Sequence, residues 1–329
     1  MALRPPRSHP RRNLPRTVRT LLAALVIAAV AVPLSGAARP SAVPAPAPAA
    51  LAPLRAATPA DLAERYAVNR GFIRAAERTA TRHGDRKRAA ALRVLADPAR
   101  HFFSFDGRDG GRSAEVFGDL SRARRIAVLV PGAGISLDRY WRLRAAAVAL
   151  RRETGEGTAV IGWLGYETPD TVSRASVTTG RAKSAATELR TFLAELKRTE
   201  PTARTSLLCH SYGSVVCAES APGLAVSDIV LYGSPGTGAD NVSALHTPAT
   251  VWAGRGGDDW IAEVPHVQLR LPFITLGFGT DPVSQKFGAR HFAAGDGGHS
   301  DYLKPGSLSL KNIARIVSGR TPAEEGRHA

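Results

Sequence analysis

The sequence is poor in cysteine, lysine and aromatic residues, and its first 60 residues contain no acid. Two cysteines in 329 residues exclude a disulfide-rich scaffold and any four-cysteine zinc module. No His, Cys, Asp or Glu spacing suits a metal, so neither a metal nor another cofactor is expected. Aromatics make up 6% of the chain and none interleave with a basic stretch, so nucleic acid is not an expected partner. Only six of the 44 basic residues are lysine, a bias that fits a GC-rich genome. With 44% hydrophobic and 22% charged residues, the chain is neither wholly disordered, collagen-like nor a polytopic membrane protein.

The net charge of +16 is unevenly placed: eight arginines precede residue 60, which leaves +8 for everything beyond. Residues 1–38 read as a targeting device. Arg4 to Arg19 form a positive region, Leu21–Leu34 an apolar run, and Ser35-Gly36-Ala37-Ala38 the small residues that a signal peptidase prefers. The uncharged span Thr20–Ala38 is 19 residues long with Pro33 near its end, which favours a cleaved signal peptide over an N-terminal membrane anchor. Residues 39–59 follow as a Pro/Ala-rich linker; 14 of the positions 40–59 are Pro or Ala, which predicts an extended spacer outside the folded unit. The expected location is secreted or envelope-associated, with any membrane or cell-wall contact made through the N-terminus.

Thr58-Pro59-Ala60-Asp61 reads as a helix start, and residues 60–100 as a helical lead-in broken near Gly71 and Gly84. At His101 the period changes. His101–Asp106 and Ser113–Leu120 flank a turn-rich Gly107–Arg112, as in a hairpin. Apolar strand patterns at 126–130, 159–164, 206–209, 228–232 and 250–253 then alternate with helical ones at 137–152, 181–198 and 214–220. A last strand at 290–294 and a helix at 307–317 close the pattern. This order predicts an α/β domain over 101–320, with an N-terminal hairpin, a mostly parallel sheet, helices on both faces and a tail at 321–329.

The chemistry centres on Cys209-His210-Ser211-Tyr212-Gly213-Ser214, a serine between an apolar strand and an apolar helix. A serine on so sharp a turn projects its hydroxyl above the sheet, and the helix N-terminus favours negative charge beside it. Cys209 stands where glycine is usual. In this architecture the acid and then the base follow in later loops. Asp259, in Gly256-Gly257-Asp258-Asp259-Trp260-Ile261, is the preferred acid because an apolar residue stands two positions on; Asp258 is the alternative and Asp240 a distant third. His299, in Gly297-Gly298-His299-Ser300-Asp301-Tyr302, is the preferred base. His291, His266 and His246 fit the order less well, and His210 should face another way. The amides of Tyr212 and Ala133 are candidate oxyanion donors, the second because Gly132 and Gly134 let the backbone approach closely. A dinucleotide site at Gly132-x-Gly134 would need a third glycine where Leu137 stands. Trp163 and Tyr166 are candidates for a substrate-pocket wall, with packing against neighbouring loops the equal alternative. Cys209 and Cys217 are spaced for poor disulfide geometry, which predicts two buried, inert thiols.

Beyond these motifs, the chain resembles an actinobacterial branch of the α/β-hydrolase superfamily long catalogued as a domain of unknown function. The resemblance covers roughly residues 101–305. It rests on Phe105-Asp106 with its hairpin, Val130-Pro131-Gly132, Trp163-Leu164-Gly165-Tyr166, His210–Ser214, Gly233-Ser234-Pro235-Gly236, Asp281-Pro282 and Gly298–Tyr302. It implies the α/β-hydrolase fold and a Ser211–Asp259–His299 triad, and leaves the substrate open. The resulting expectation is an exported serine hydrolase acting on a small-molecule or lipid-like ester, with amide bonds less favoured. The alternative is a non-catalytic cell-envelope binding protein that retains the fold.

Overall fold

The computed structural model describes residues 43–169, 180–264, 269–271 and 274–323. The proposed signal peptide lies outside the described residues, and among these no helix is long and apolar enough to cross a membrane.

Helix α1 (Pro59–Arg82) begins as the sequence predicts, with the Thr58 side chain accepting from the Asp61 amide and proline in the first turn. It runs unbroken through Gly71, contrary to expectation. One glycine costs a helix about 1 kcal/mol, whereas a single fully buried Leu or Ile returns about 1.5–3 kcal/mol. Leu62, Ile73, Ala76 and Ala80 supply that buried face. The predicted break at Gly84 does occur, and α2 (Arg86–Leu95) follows, capped by Asp85. The Pro/Ala-rich stretch is not a free spacer along its described length. Ala57 is buried, Leu54 packs on the core, and Arg65 donates to the Ala52 carbonyl. Its irregular backbone is held by side chains of α1 and the main domain, an interaction that composition does not reveal.

The hairpin β1 (His101–Asp106) and β2 (Arg112–Phe117) leads into β3 (Arg125–Val130), α3 (Trp141–Thr154), β4 (Thr158–Leu164), α4 (Gly180–Thr199), β5 (Arg204–His210) and α5 (Gly213–Ser220). Strands β6 (Asp228–Tyr232) and β7 (Thr250–Gly254) follow, then a small hairpin of β8 (Leu269–Leu271) and β9 (Ile274–Leu276) that periodicity did not reveal. Strand β10 (Arg290–His291) and helix α6 (Leu308–Val317) complete the fold. The main sheet has eight strands in the order β1-β2-β4-β3-β5-β6-β7-β10, and β2 alone runs against the others. Strand β10 is shorter than the predicted 290–294, because only Arg290 and His291 pair with β7.

Central strands are buried on both faces, which is why their sequences read as continuous apolar runs. Along β3, Ile126, Val128 and Val130 join one core layer with α4 and α5, whereas Ala127 and Leu129 join the other with α3 and α6. Asn69 of α1 donates to the Phe103 carbonyl, covering part of the β1 edge. Because β3 to β7 are parallel, the loops that follow them gather at one end of the sheet, where α/β folds bind ligands.

Candidate active site

The turn from β5 into α5 places Ser211 at φ +53, a conformation that non-glycine residues rarely adopt. The Ser211 amide donates to the Tyr232 carbonyl at 3.1 Å, which ties the turn to β6. A Cβ on Gly132 would lie 2.7 Å from the Ser211 Cβ, so the loop after β3 can approach the serine only through glycine.

The loops after β7 and β10 bring Asp259 and His299 to this serine. His299 Nδ1 lies 2.9 and 3.1 Å from the two Asp259 carboxylate oxygens, and Nε2 lies 3.0 Å from Ser211 Oγ. A carboxylate only accepts, so Nδ1 carries the ring proton and Nε2 is left to accept from the Ser211 hydroxyl. Asp259 is 2% exposed, whereas Asp258 faces solvent. Burial alone would push the Asp259 carboxyl up. Hydrogen bonds from His299, Tyr302 and the Ile261 amide outweigh burial and hold it below the usual carboxylate range.

Two residues whose part here was not anticipated complete the network. Tyr302 donates to Asp259 Oδ2 at 2.5 Å and accepts from the Gly256 amide at 3.0 Å, joining the acid to its own loop. Burial and the neighbouring carboxylate both push the Tyr302 hydroxyl up, so it stays protonated as a donor. The Gly298–Tyr302 motif carried this signal, since the tyrosine follows the histidine by three residues. His210, expected to face elsewhere, lies beside His299 with ring centroids 4.8 Å apart. Its Nε2 is 2.8 Å from the His299 carbonyl and must donate to it, which holds the histidine loop over the turn.

Burial, and next the nearby His299, push His210 down to about 4 from 6.5. A histidine with a depressed folded pKa binds fewer protons folded than unfolded. Its contribution is therefore intact above about 6.5 and is lost as pH falls toward about 4. His210→Gln, which keeps a donor for the carbonyl, should give a flatter dependence of melting temperature on pH across that window. An unchanged slope would remove His210 from this account.

Other predicted residues stand as follows. Tyr212 is buried, and its hydroxyl accepts from the Ala182 amide at 3.1 Å, tying α4 to the serine turn. Ala133 lies in the loop that Gly132 packs on Ser211, and among the described residues its amide has no protein acceptor. Trp163 and Tyr166 are 3% and 4% exposed and line no open surface, which corrects the pocket-wall reading. Trp163 points from β4 toward Phe192 of α4, and Tyr166 donates to the Pro131 carbonyl at 2.6 Å. Tyr166 therefore braces the loop containing Ala133. The exposed aromatic at the site is Trp260, half in solvent, with its ring 4.7 Å from that of His299. Among the described residues, no hydrogen bond or ring contact joins His246 or His291 to Ser211, Asp259 or His299; His266 lies outside the described residues.

Cys209 and Cys217 form a disulfide, against expectation, with Cα atoms 6.4 Å apart. Spacing along the chain suggested too great a separation. The sharp turn at Ser211 folds α5 back against β5, so the second turn of the helix returns to the strand end.

The fold is that of an α/β hydrolase, and its serine, histidine and buried carboxylate meet at the carboxyl end of the parallel strands. The profile of the alpha/beta hydrolase family matches residues 106–269, and the chain belongs to that family. An uncharacterized protein of Mycobacterium bovis is 32% identical over 186 residues, 50% of this chain and 70% of the relative. An uncharacterized protein of Mycobacterium tuberculosis is 28% identical over 257 residues, 67% of this chain but only 38% of the longer relative. Among solved structures, esterase PE8 is similar with a TM-score of 0.44 and 15% identity, over 63% of this chain and 98% of that one. A lid-less a/b serine hydrolase of Xanthomonas campestris is similar with a TM-score of 0.44 and 18% identity, over 68% of this chain and 96% of that one.

Proposed function

We propose that the protein is an exported serine hydrolase that cleaves carboxylic esters through an acyl-enzyme on Ser211. The observation that carries this reading is the continuous hydrogen-bonded line from Ser211 Oγ through His299 to Asp259. In the proposed reaction His299 Nε2 takes the Ser211 proton as Oγ attacks the ester carbonyl. Asp259 holds the imidazolium that forms, and the Tyr212 and Ala133 amides receive the oxyanion. His299 returns the proton to the departing alcohol. Water then attacks the acyl-serine, delivers its proton to His299, and releases the acid with Ser211 restored.

The disulfide supports the exported location, because structural disulfides persist in oxidising compartments and are rare in the cytosol. A fluorophosphonate probe, which captures an activated serine, should label the protein, and Ser211→Ala should abolish labelling. Labelling of the variant at the wild-type level would overturn the assignment.

Trp260 is the proposed substrate contact, because its exposed ring borders His299 on the solvent side. An aromatic contact is worth about 1 kcal/mol beyond its area, and 1.4 kcal/mol is tenfold in affinity. Trp260→Ala should therefore raise KM for aromatic or long-chain esters by about tenfold, with kcat and the KM for acetate esters little changed. Equal losses for short and long esters would place Trp260 outside the substrate site.

A further inference from the structure

The sheet carries a second feature at the end opposite Ser211. Strand β2 runs against its neighbours, so its exit at Gly118 lies beside the start of β4, where Phe117 pairs with Val160. Here α1, the approach to β1, the β2–β3 loop and the end of α3 enclose a groove of about 1080 Å³. That is the size of a small-molecule site, which typically measures about 300–1,000 Å³.

The lining is strongly one-signed. Arg70, Arg100, Arg122, Arg144, Arg151 and Arg152 border the groove, against two acids, Glu115 and Asp119. Glu115 is already committed. It is 1% exposed, accepts two bonds at 2.7 Å from Arg100, and takes a third at 2.6 Å from Arg144. Asp119 Oδ1 accepts from the amide and hydroxyl of Ser121, so its one negative charge stays at the rim against the arginines. Among the described residues, no carboxylate pairs with Arg70, Arg122, Arg151 or Arg152.

One of these arginines is built into the wall. A Cβ on Gly118 would lie 2.5 Å from Arg151 Nε, so glycine is what lets this guanidinium cross the β2 exit. Arg151 Nη1 donates to the Gly155 carbonyl, whereas its buried Nε has no partner among the described residues. The remaining wall is apolar and aromatic, with Tyr66 stacked on His101 at 4.8 Å.

Four guanidiniums without a carboxylate partner around one concavity favour a ligand with more than a single negative charge. Guanidinium forks match phosphate oxygens, and the apolar wall suits the carbon body of a phosphate ester. We propose that this groove is a binding site for a phosphate-bearing ligand of the glycerol-phosphate type, distinct from the Ser211 site. The proposal does not depend on the chemistry at Ser211.

The test compares the full chain with two double variants of equal charge change. Arg122→Glu/Arg152→Glu alters exposed groove residues; Arg74→Glu/Arg78→Glu alters exposed residues of α1 outside it. Binding is measured at physiological salt to glycerol phosphate in solution and to phosphatidylglycerol vesicles, with phosphatidylcholine vesicles as reference. The wild type should bind at least one phosphate-bearing probe. The groove pair should lose at least about tenfold in affinity, and the control pair less than about twofold. Binding of soluble glycerol phosphate identifies a free ester as sufficient, and groove-dependent binding of vesicles alone identifies the lipid headgroup. Unchanged melting temperature and unchanged labelling by the fluorophosphonate probe show that the variants fold; if the charge reversals unfold the chain, Arg122→Gln/Arg152→Gln takes their place. Failure of the wild type to bind either probe, or equal losses in the two pairs, overturns the proposal.

Discussion

Ser211→Ala and His299→Ala should each lower kcat for a simple ester by about 10⁶, and the double variant should be no slower than either single one. The reason is geometric. Ser211 Oγ and His299 Nε2 are 3.0 Å apart and share one proton, so each is ineffective without the other. Without His299 the serine stays a neutral hydroxyl, and without Ser211 the imidazole has no nucleophile to deprotonate. KM should move by less than about threefold, because neither group is assigned to substrate binding. The residual rate, about 10³ over water, would come from the proposed oxyanion amides of Tyr212 and Ala133. Steady-state kinetics on a short-chain ester, with single and double variants purified in parallel, measure this directly. Multiplying losses in the double variant would mean that the two residues act independently, which the proposed mechanism forbids.

The local features of the site were legible in the sequence, and the features made by chain reversal were not. The serine turn could be read because its strand, its small flanking residues and its helix are consecutive. Ser211 and Asp259 could be read because each follows a recognisable apolar strand, and His299 because it comes next in the order within a glycine-rich loop. The disulfide was misread because the same turn that exposes Ser211 carries Cys217 back to Cys209, and linear spacing does not register a reversal. Trp163 and Tyr166 were misplaced for a related reason. They stand at the correct end of the sheet, but their rings turn inward against α4 and the loop at Pro131. Gly71 looks like a helix breaker because propensity is visible in a sequence, whereas the buried stripe that outweighs it depends on what α1 packs against. The basic groove was the least legible feature. Its unpaired arginines come from α1, the β2–β3 loop and α3, so no single stretch looks like a binding motif.

The proposed catalytic centre and the basic groove occupy opposite ends of one sheet, and different rules build them. Parallel strands deliver their loops to the Ser211 end, where two of those loops are cross-linked by the Gly257 amide on the Gly295 carbonyl. At the far end the reversed β2 opens a gap between the hairpin and α3. Substitutions in the groove should therefore leave the Ser211–His299–Asp259 line intact, which is why serine labelling serves as the folding control for groove variants.

Asp259→Asn should lower kcat/KM by about 10⁴ while leaving the fold in place, and Asp258→Asn should change it by less than about threefold. An orienting acid must accept the Nδ1 proton so that Nε2 is free to take the proton of serine. Asparagine can present its amide nitrogen to Nδ1 instead, which favours the tautomer with the proton on Nε2 and leaves Ser211 without a base. Asp258 differs from Asp259 by one residue but faces solvent, so nothing in this relay passes through it. The variant also separates catalysis from stability. Asp259 is held below the usual carboxylate range, so its stabilising bonds are intact above the unfolded value near 4 and are lost as pH falls through the lower folded value. Asp259→Asn removes that titration, and its acid unfolding should depend less on pH than that of the wild type. Rates at neutral pH and acid-unfolding curves, measured on the same two variants, test both halves. A large loss in Asp258→Asn with little in Asp259→Asn would exchange the roles of the pair and refute the geometry from which the proposed mechanism is built.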